Sequence, residues 1–207
     1  QYCHNPETWE REGGYEATAQ EIFRQAWRYR PYWKQTGGIT VSGGEPLLQL
    51  AFVTELFRIA KAKGVNTVID TAGEPFTYDE PFFSAFEELL PLTDLFLLDL
   101  KQIDDVKHRA LTGVSNESAL ALAQFLSERG KRMWIRHVLV PGWTTGEDDL
   151  RRLSDFVASL KTVDRVEVLP YHAMALHKYE ELRLPYRLGD TPAPTAEEIA
   201  RAEEILR

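Results

Sequence analysis

The chain has 207 residues, 43% of them hydrophobic and 27% charged, with a formal net charge of -8. It is long enough to bury a sizeable core as one domain or a large partial barrel, and its acidic balance argues against nucleic acid as the main partner. No run of about 18 apolar residues is present to span a membrane and no signal peptide is visible, while a single cysteine leaves no internal disulfide framework, so a reducing cytoplasm is expected.

In chain order, the sequence opens at Gln1-Tyr2-Cys3-His4-Asn5-Pro6, without an initiating methionine or a preceding element. Thr18 to Tyr29 reads as a helix with Ile22, Phe23, Ala26 and Trp27 on one face. Gly38-Ile39-Thr40-Val41 is a short β-branched strand running into Ser42-Gly43-Gly44-Glu45-Pro46. The two glycines strip side chains from the strand end, which leaves backbone amides and carbonyls open to a ligand or simply makes a tight turn. Pro46 suits the first position of the next helix, Leu47 to Lys63, which Gly64 closes.

Val65 to Ile69 is a second strand, entering Asp70-Thr71-Ala72-Gly73, and Asp79 suits the N-cap of a helix to Leu90. Leu95 to Leu98 is a third strand, too apolar for an exposed position, and runs into Asp99-Leu100-Lys101-Gln102. Gly113-Val114-Ser115-Asn116 breaks the chain and caps a helix from Glu117 to Glu128, stopped by Gly130. Met133 to Val140 is the longest strand, ended by Pro141-Gly142-Trp143, and Glu147 to Leu160 is an amphipathic helix. Val166 to Leu169 is the last strand and ends in Pro170-Tyr171-His172, while Thr191-Pro192-Ala193-Pro194 is a hinge before a final helix. Strands alternating with helices predict a parallel sheet of βα units, too few to close an eight-stranded barrel.

In such a fold the ligand site lies at the carboxyl ends of the strands. Those ends carry Ser42 to Glu45, Asp70 and Thr71, Asp99 and Lys101, and His172. Asp99 and Lys101 are two apart and share one face, where an acid and a base serve either each other or a charged ligand. Arg136 and His137 lie on opposite faces, and the pattern does not decide which looks inward. His172 suits packing and ligand contact equally. With only Lys101 read as a nearby cation, Asp70 and Asp99 would repel unless a bound ion sits between them.

The ordered set Tyr2-Cys3-His4-Asn5, Ser42-Gly43-Gly44-Glu45, Asp70-Thr71, Asp99-Leu100-Lys101, Gly113-Val114-Ser115-Asn116, Trp134-Ile135-Arg136, Val140-Pro141-Gly142-Trp143 and Leu169-Pro170-Tyr171-His172 is more specific than any one of its members. It resembles the radical S-adenosylmethionine activases of glycyl radical enzymes, and among them the pyruvate formate-lyase activating type, over essentially the whole chain. The resemblance implies an α/β fold, a partial (β/α)6 TIM-like barrel with parallel strands, and a [4Fe-4S] cluster with S-adenosylmethionine. It implies an oxidoreductase that reductively cleaves S-adenosylmethionine and places a radical on the glycine loop of its partner, with flavodoxin or a similar protein as electron donor.

By the same resemblance, Cys3 matches the last cysteine of a C-x-x-x-C-x-aromatic-C motif, and Tyr2 its aromatic position near the adenine. Gly43, Gly44 and Glu45 meet the methionine amino group. Asp99, Leu100 and Lys101 reach the ribose and carboxylate, and His172 reaches the nucleoside. His4 and Arg136 meet the cofactor or the incoming peptide, with Asp99, Lys101 and Arg136 as the catalytic set. Asp70, Thr71, Asp99 and the Leu97 carbonyl match a monovalent cation site for sodium or potassium.

Two departures stand out. The earlier cysteines of the motif and the first strand would precede Gln1, so a single domain over residues 1–207, truncated within the cluster motif, is expected, and Cys3 alone cannot hold a cluster. Such a chain is expected to be inactive without those cysteines. Ala72 stands where this family often has Asn. Residues 4 to 42 hold no cysteine, so the ferredoxin-like insert of many relatives is missing. The alternatives are an activase of another glycyl radical enzyme, a cluster-free nucleoside-binding fragment, or a βα-barrel hydrolase using Asp70, Asp99 and His172 around a divalent metal.

Overall fold

The structure, a computed structural model, describes Cys3, residues 5–9 and residues 14–207. A short 3-10 turn, Pro6–Trp9, precedes α1 (Ala19–Trp27). Thr18 starts α1 because its hydroxyl accepts from the Glu21 amide while the Glu21 carboxylate accepts from the Thr18 amide, a reciprocal cap. One further turn, α2 (Arg30–Trp33), leads to β1 (Gly38–Val41). Where one continuous helix is expected from Leu47, a 3-10 turn, Pro46–Gln49, comes first and α3 (Leu50–Lys61) follows.

Next come β2 (Asn66–Thr71), α4 (Phe82–Leu89), β3 (Leu95–Asp99), α5 (Asp105–Thr112), α6 (Glu117–Glu128), β4 (Met133–Leu139), α7 (Glu147–Ser159) and β5 (Val163–Pro170). α8 (Leu176–Glu181) and α9 (Ala196–Ile205) end the chain. The strands form one sheet in the order β1-β2-β3-β4-β5, every neighbouring pair parallel. The parallel βα sheet is therefore as expected.

The core lies on the helix-covered face of the sheet. Ile69, Phe96, Leu98, Met133 and Ile135 point there with no exposed area, against Phe57, Phe86, Leu89, Leu122 and Leu126. Phe76 packs on Phe86 and Phe125 at ring separations of 5.4 and 5.5 Å. Burying each such ring contributes about 1.5–3 kcal/mol, and the non-directional apolar contact holds the helices against the sheet. The alternate residues, Asp70, Leu97, Asp99, Trp134 and Arg136, are only half-buried and face the other way.

Some expectations fail for local reasons. Asp79 does not cap α4: its carboxylate accepts from the Thr77 hydroxyl at 2.9 Å, and the helix begins after Pro81 with no side-chain cap. Asn116 stands at the start of α6, but its amide is spent on the carbonyls of Gln102 and Ile103, at 3.1 and 2.8 Å. The sequence pattern also passes over α5, whose signals are the Asp104 side chain accepting from the Lys107 amide and Gly113 in the left-handed region at φ 97°.

Candidate functional site

The strand ends converge because the parallel register aligns them. Val41 is level with Ile69, Thr71 with Leu98, Asp99 with Arg136, and Leu139 with Pro170. Beyond β1 the backbone turns through Gly43 and Gly44, at φ 78° and 50°, a region that side-chain-bearing residues rarely occupy. The Gly44 amide donates to Thr8 Oγ1 at 3.1 Å, and that hydroxyl donates to the Asn5 carbonyl at 2.7 Å.

Glu45 plays a structural part that its position in the motif does not reveal. Its Oε1 accepts from the Leu47 amide at 3.1 Å and from Thr71 Oγ1 at 2.6 Å, while Oε2 accepts from the Ala72 amide at 3.0 Å. The carboxylate thus pins the turn after β1 to the turn after β2. Burial pushes its pKa up against these three donors.

Asp70 and Thr71 separate at this point, because successive side chains of a strand alternate faces. The Thr71 hydroxyl, on the helix side, is spent on Glu45 and on accepting from the Gly73 amide at 2.9 Å. Asp70 turns to the half-buried face, where its Oδ1 accepts from Arg136 Nη2. Arg136 also donates to Asp99 Oδ1, from Nε at 2.8 Å and Nη2 at 2.7 Å. One guanidinium therefore bridges both carboxylates and sets a positive charge between them.

Lys101 Nζ stands 3.8 Å from Asp99 Oδ2, so the charged face reads Asp70, Arg136, Asp99, Lys101. Burial raises the Asp70 pKa and outweighs the pull of Arg136. Glu74, passed over in the sequence, joins this rim: burial raises its pKa, with Lys101 opposing and Glu45 adding to the rise. Among the described residues, no group of three or more His, Cys, Asp and Glu side chains gathers to hold a metal ion.

The choice between Arg136 and His137 is now decided. Arg136 looks to the charged face, while His137 is buried on the helix side, where Nδ1 meets the Leu100 carbonyl at 2.8 Å and burial lowers its pKa. Leu100 is itself buried, and its backbone is engaged too, its N–H donating to the Arg136 carbonyl at 3.0 Å and its carbonyl meeting His137, so it supports the rim rather than offering a group to a ligand. The Leu97 side chain shares the half-buried face with Asp99. His172 is exposed just past β5. Cys3 is half-buried, with its sulfur accepting from the Asn5 amide at 3.4 Å. Tyr2 and His4 lie outside the described residues.

Residues 1–156 match the family model described as the Radical SAM superfamily. The chain is 45% identical to a pyruvate formate-lyase-activating enzyme of Streptococcus mutans over 208 aligned residues, covering 100% of this chain and 79% of that protein. A counterpart of the same description from Listeria monocytogenes is 44% identical, with 100% and 84% covered. The chain belongs to the pyruvate formate-lyase-activating enzymes of the radical SAM superfamily.

Among solved structures, a domain of a pyruvate-formate lyase-activating enzyme from Bacteroides vulgatus superposes with a TM-score of 0.66 at 25% identity, covering 82% of this chain and 92% of that one. SuiB of Streptococcus suis, with its precursor peptide SuiA, superposes with a TM-score of 0.69 at 20% identity, covering 98% and 41%, a likeness of fold alone. The fold of this radical SAM enzyme is thus the α/β partial barrel that the family resemblance implies, here with five parallel strands among the described residues. A radical SAM enzyme uses S-adenosylmethionine and a [4Fe-4S] cluster. Cys3 fits one thiolate position, with an N–H directed at its sulfur, but the 207 residues carry no second cysteine to complete the set.

Proposed function

We propose that this enzyme activates pyruvate formate-lyase by generating a glycyl radical, with S-adenosylmethionine bound along the strand-end rim. The observation that carries the reading is the convergence of the Gly43-Gly44 turn, Asp99, Lys101 and His172 at one end of the sheet, in a chain 45% identical over its full length to an enzyme of that description. A bound cluster, with Cys3 as one of its thiolates, would supply the electron for reductive cleavage of S-adenosylmethionine and so the radical chemistry directed at the partner's glycine.

The chain's own residues bind and orient. The left-handed turn at Gly43 and Gly44 presents backbone to the methionine amino group, and Glu45 holds that turn against β2. Lys101 offers its ammonium to the methionine carboxylate, and Asp99, held in place by Arg136, accepts from ribose hydroxyls. His172 borders the nucleoside. The half-buried charged face limits water around the reacting atoms. A sodium or potassium ion beside the cofactor would use Asp70, Asp99 and the Leu97 carbonyl, sharing both carboxylates with Arg136, while the Thr71 hydroxyl, engaged with Glu45 on the other face, takes no part. The partner offers a glycine loop, and flavodoxin or a similar donor provides the electron.

The test is anaerobic incubation of the cluster-loaded, full-length enzyme with S-adenosylmethionine, a reductant and pyruvate formate-lyase. The expected result is a glycyl radical signal in the EPR spectrum, with 5′-deoxyadenosine formed in step. 5′-Deoxyadenosine without a radical on pyruvate formate-lyase, together with a radical on another glycyl radical enzyme, would overturn the choice of partner.

A further inference from the structure

Cys3 and the stretch from Asn5 to Trp9 lie along the rim like a strap. At one side, Thr8 Oγ1 accepts from the Gly44 amide at 3.1 Å, next to the end of β1. At the other, α8 holds it: Lys178 Nζ donates to Asn5 Oδ1 at 3.1 Å and to Glu7 Oε1 at 2.7 Å, and Tyr179 Oη donates to the Cys3 carbonyl at 3.1 Å. Trp9 stands edge-on to the Tyr179 ring at 5.8 Å, and Tyr186 stands edge-on to it at 4.9 Å. The Tyr186 hydroxyl bonds that of Tyr171, the neighbour of His172. Both Tyr171 and Tyr179 are 1% exposed.

We propose that Tyr179 and Lys178 are positioning residues that clamp the strap and hold Cys3 at the rim. Two separate groups on neighbouring positions of α8 grip the strap, Tyr179 at the Cys3 backbone and Lys178 at the Asn5 and Glu7 side chains. The aromatic row Tyr179, Tyr186, Tyr171 anchors the donor in the fold and ties it to the residue before His172, so the cysteine strap and the nucleoside side of the rim share one support. The clamp stands on these contacts alone, while its value for catalysis rests on the proposed role of Cys3 as a cluster thiolate.

Tyr179→Phe keeps the ring and removes only the hydroxyl, and Lys178→Met removes the ammonium. Cys3 is the only cysteine of the 207-residue chain, so its rate of reaction with dithionitrobenzoate reports the strap alone. Tyr179→Phe is expected to raise that rate by about twofold to tenfold, as loss of one hydrogen bond allows, with an unchanged circular dichroism spectrum. Lys178→Met, losing a partly exposed ion pair, should raise it by about twofold. Unchanged rates in both folded variants would overturn the clamp. Should Tyr179→Phe not fold, the Lys178→Met rate decides the matter. In the cluster-loaded, full-length enzyme, Tyr179→Phe is expected to shift the EPR spectrum of the reduced cluster. A raised thiol rate beside an unchanged spectrum would keep the clamp and overturn the cluster role of Cys3.

Discussion

Arg136 on β4 grips a single oxygen of Asp99 on β3 twice, from Nε at 2.8 Å and from Nη2 at 2.7 Å, across the strand pairing that sets the two residues level. The same Nη2 reaches Asp70 on β2. Asp99 Oδ2 is left facing Lys101 and the space above the strand ends. Asp99→Ala is therefore expected to lower S-adenosylmethionine cleavage in the full-length enzyme by about tenfold to a hundredfold, through loss of a charge-assisted contact worth about 1.5–3 kcal/mol. Unfolding should remain cooperative, because Arg136 keeps Asp70 as a partner. Near-normal production of 5′-deoxyadenosine would refute the assignment.

Gly44 has φ 50°, and a Cβ there would lie 3.6 Å from the Thr8 carbonyl oxygen. A β-branched residue in the left-handed region costs about 1–3 kcal/mol, and its methyls would occupy the space in which backbone meets ligand. Gly44→Val should lose S-adenosylmethionine cleavage and lower the unfolding temperature by a few degrees. Gly44→Ala should retain more of both. Equal activity of the Val variant and the parent would rule out backbone recognition at this turn.

Activity should fall when sodium and potassium are exchanged for tetramethylammonium. The fall is expected to be partial, since Arg136 already neutralises much of the Asp70 and Asp99 charge. Asp70→Ala should weaken that dependence. Indifference of the parent enzyme to the exchange would count against the cation site.

His137 and His108 are buried, and burial lowers the pKa of each. A histidine whose folded value lies below its unfolded value of 6.5 adds stability above that value and loses it as pH falls through the window beneath it. Each should contribute a slope of up to about 1.4 kcal/mol per pH unit there. Urea unfolding at pH 7.5, 6.5 and 5.5 (roughly spanning the ordinary histidine value) measures it. His137→Gln should flatten the slope relative to the parent, which isolates the histidine from Glu45 and Asp70, whose raised values act with the opposite sign. An unchanged slope would show that His137 does not titrate with folding.

Much of the fold was legible because it rests on local patterns. The β-branched and apolar runs at Ile39, Val68, Leu95, Ile135 and Val166 each became a strand, and helical spacing placed α1, α3, α6 and α7 within a few residues. Caps were less legible. Asp79 and Asn116 carry the right side chains for the role, yet each found nearer partners, as short polar groups do when several donors and acceptors are in reach.

The sequence by itself determined the parallel βα order, the rim of strand ends and the residue types on it. Strand alternation and the placement of glycines beside carboxylates are properties of neighbours along the chain. Only the tertiary structure decided which charges meet. Asp70 and Arg136 are far apart in sequence, and the register of three strands brings them within bonding reach, so that one guanidinium joins two carboxylates on neighbouring strands. Likewise, spacing along the chain says nothing of Tyr179 reaching Cys3. That contact forms because the chain after β5 folds back over the rim, where the buried Tyr179 hydroxyl finds the Cys3 carbonyl as its acceptor.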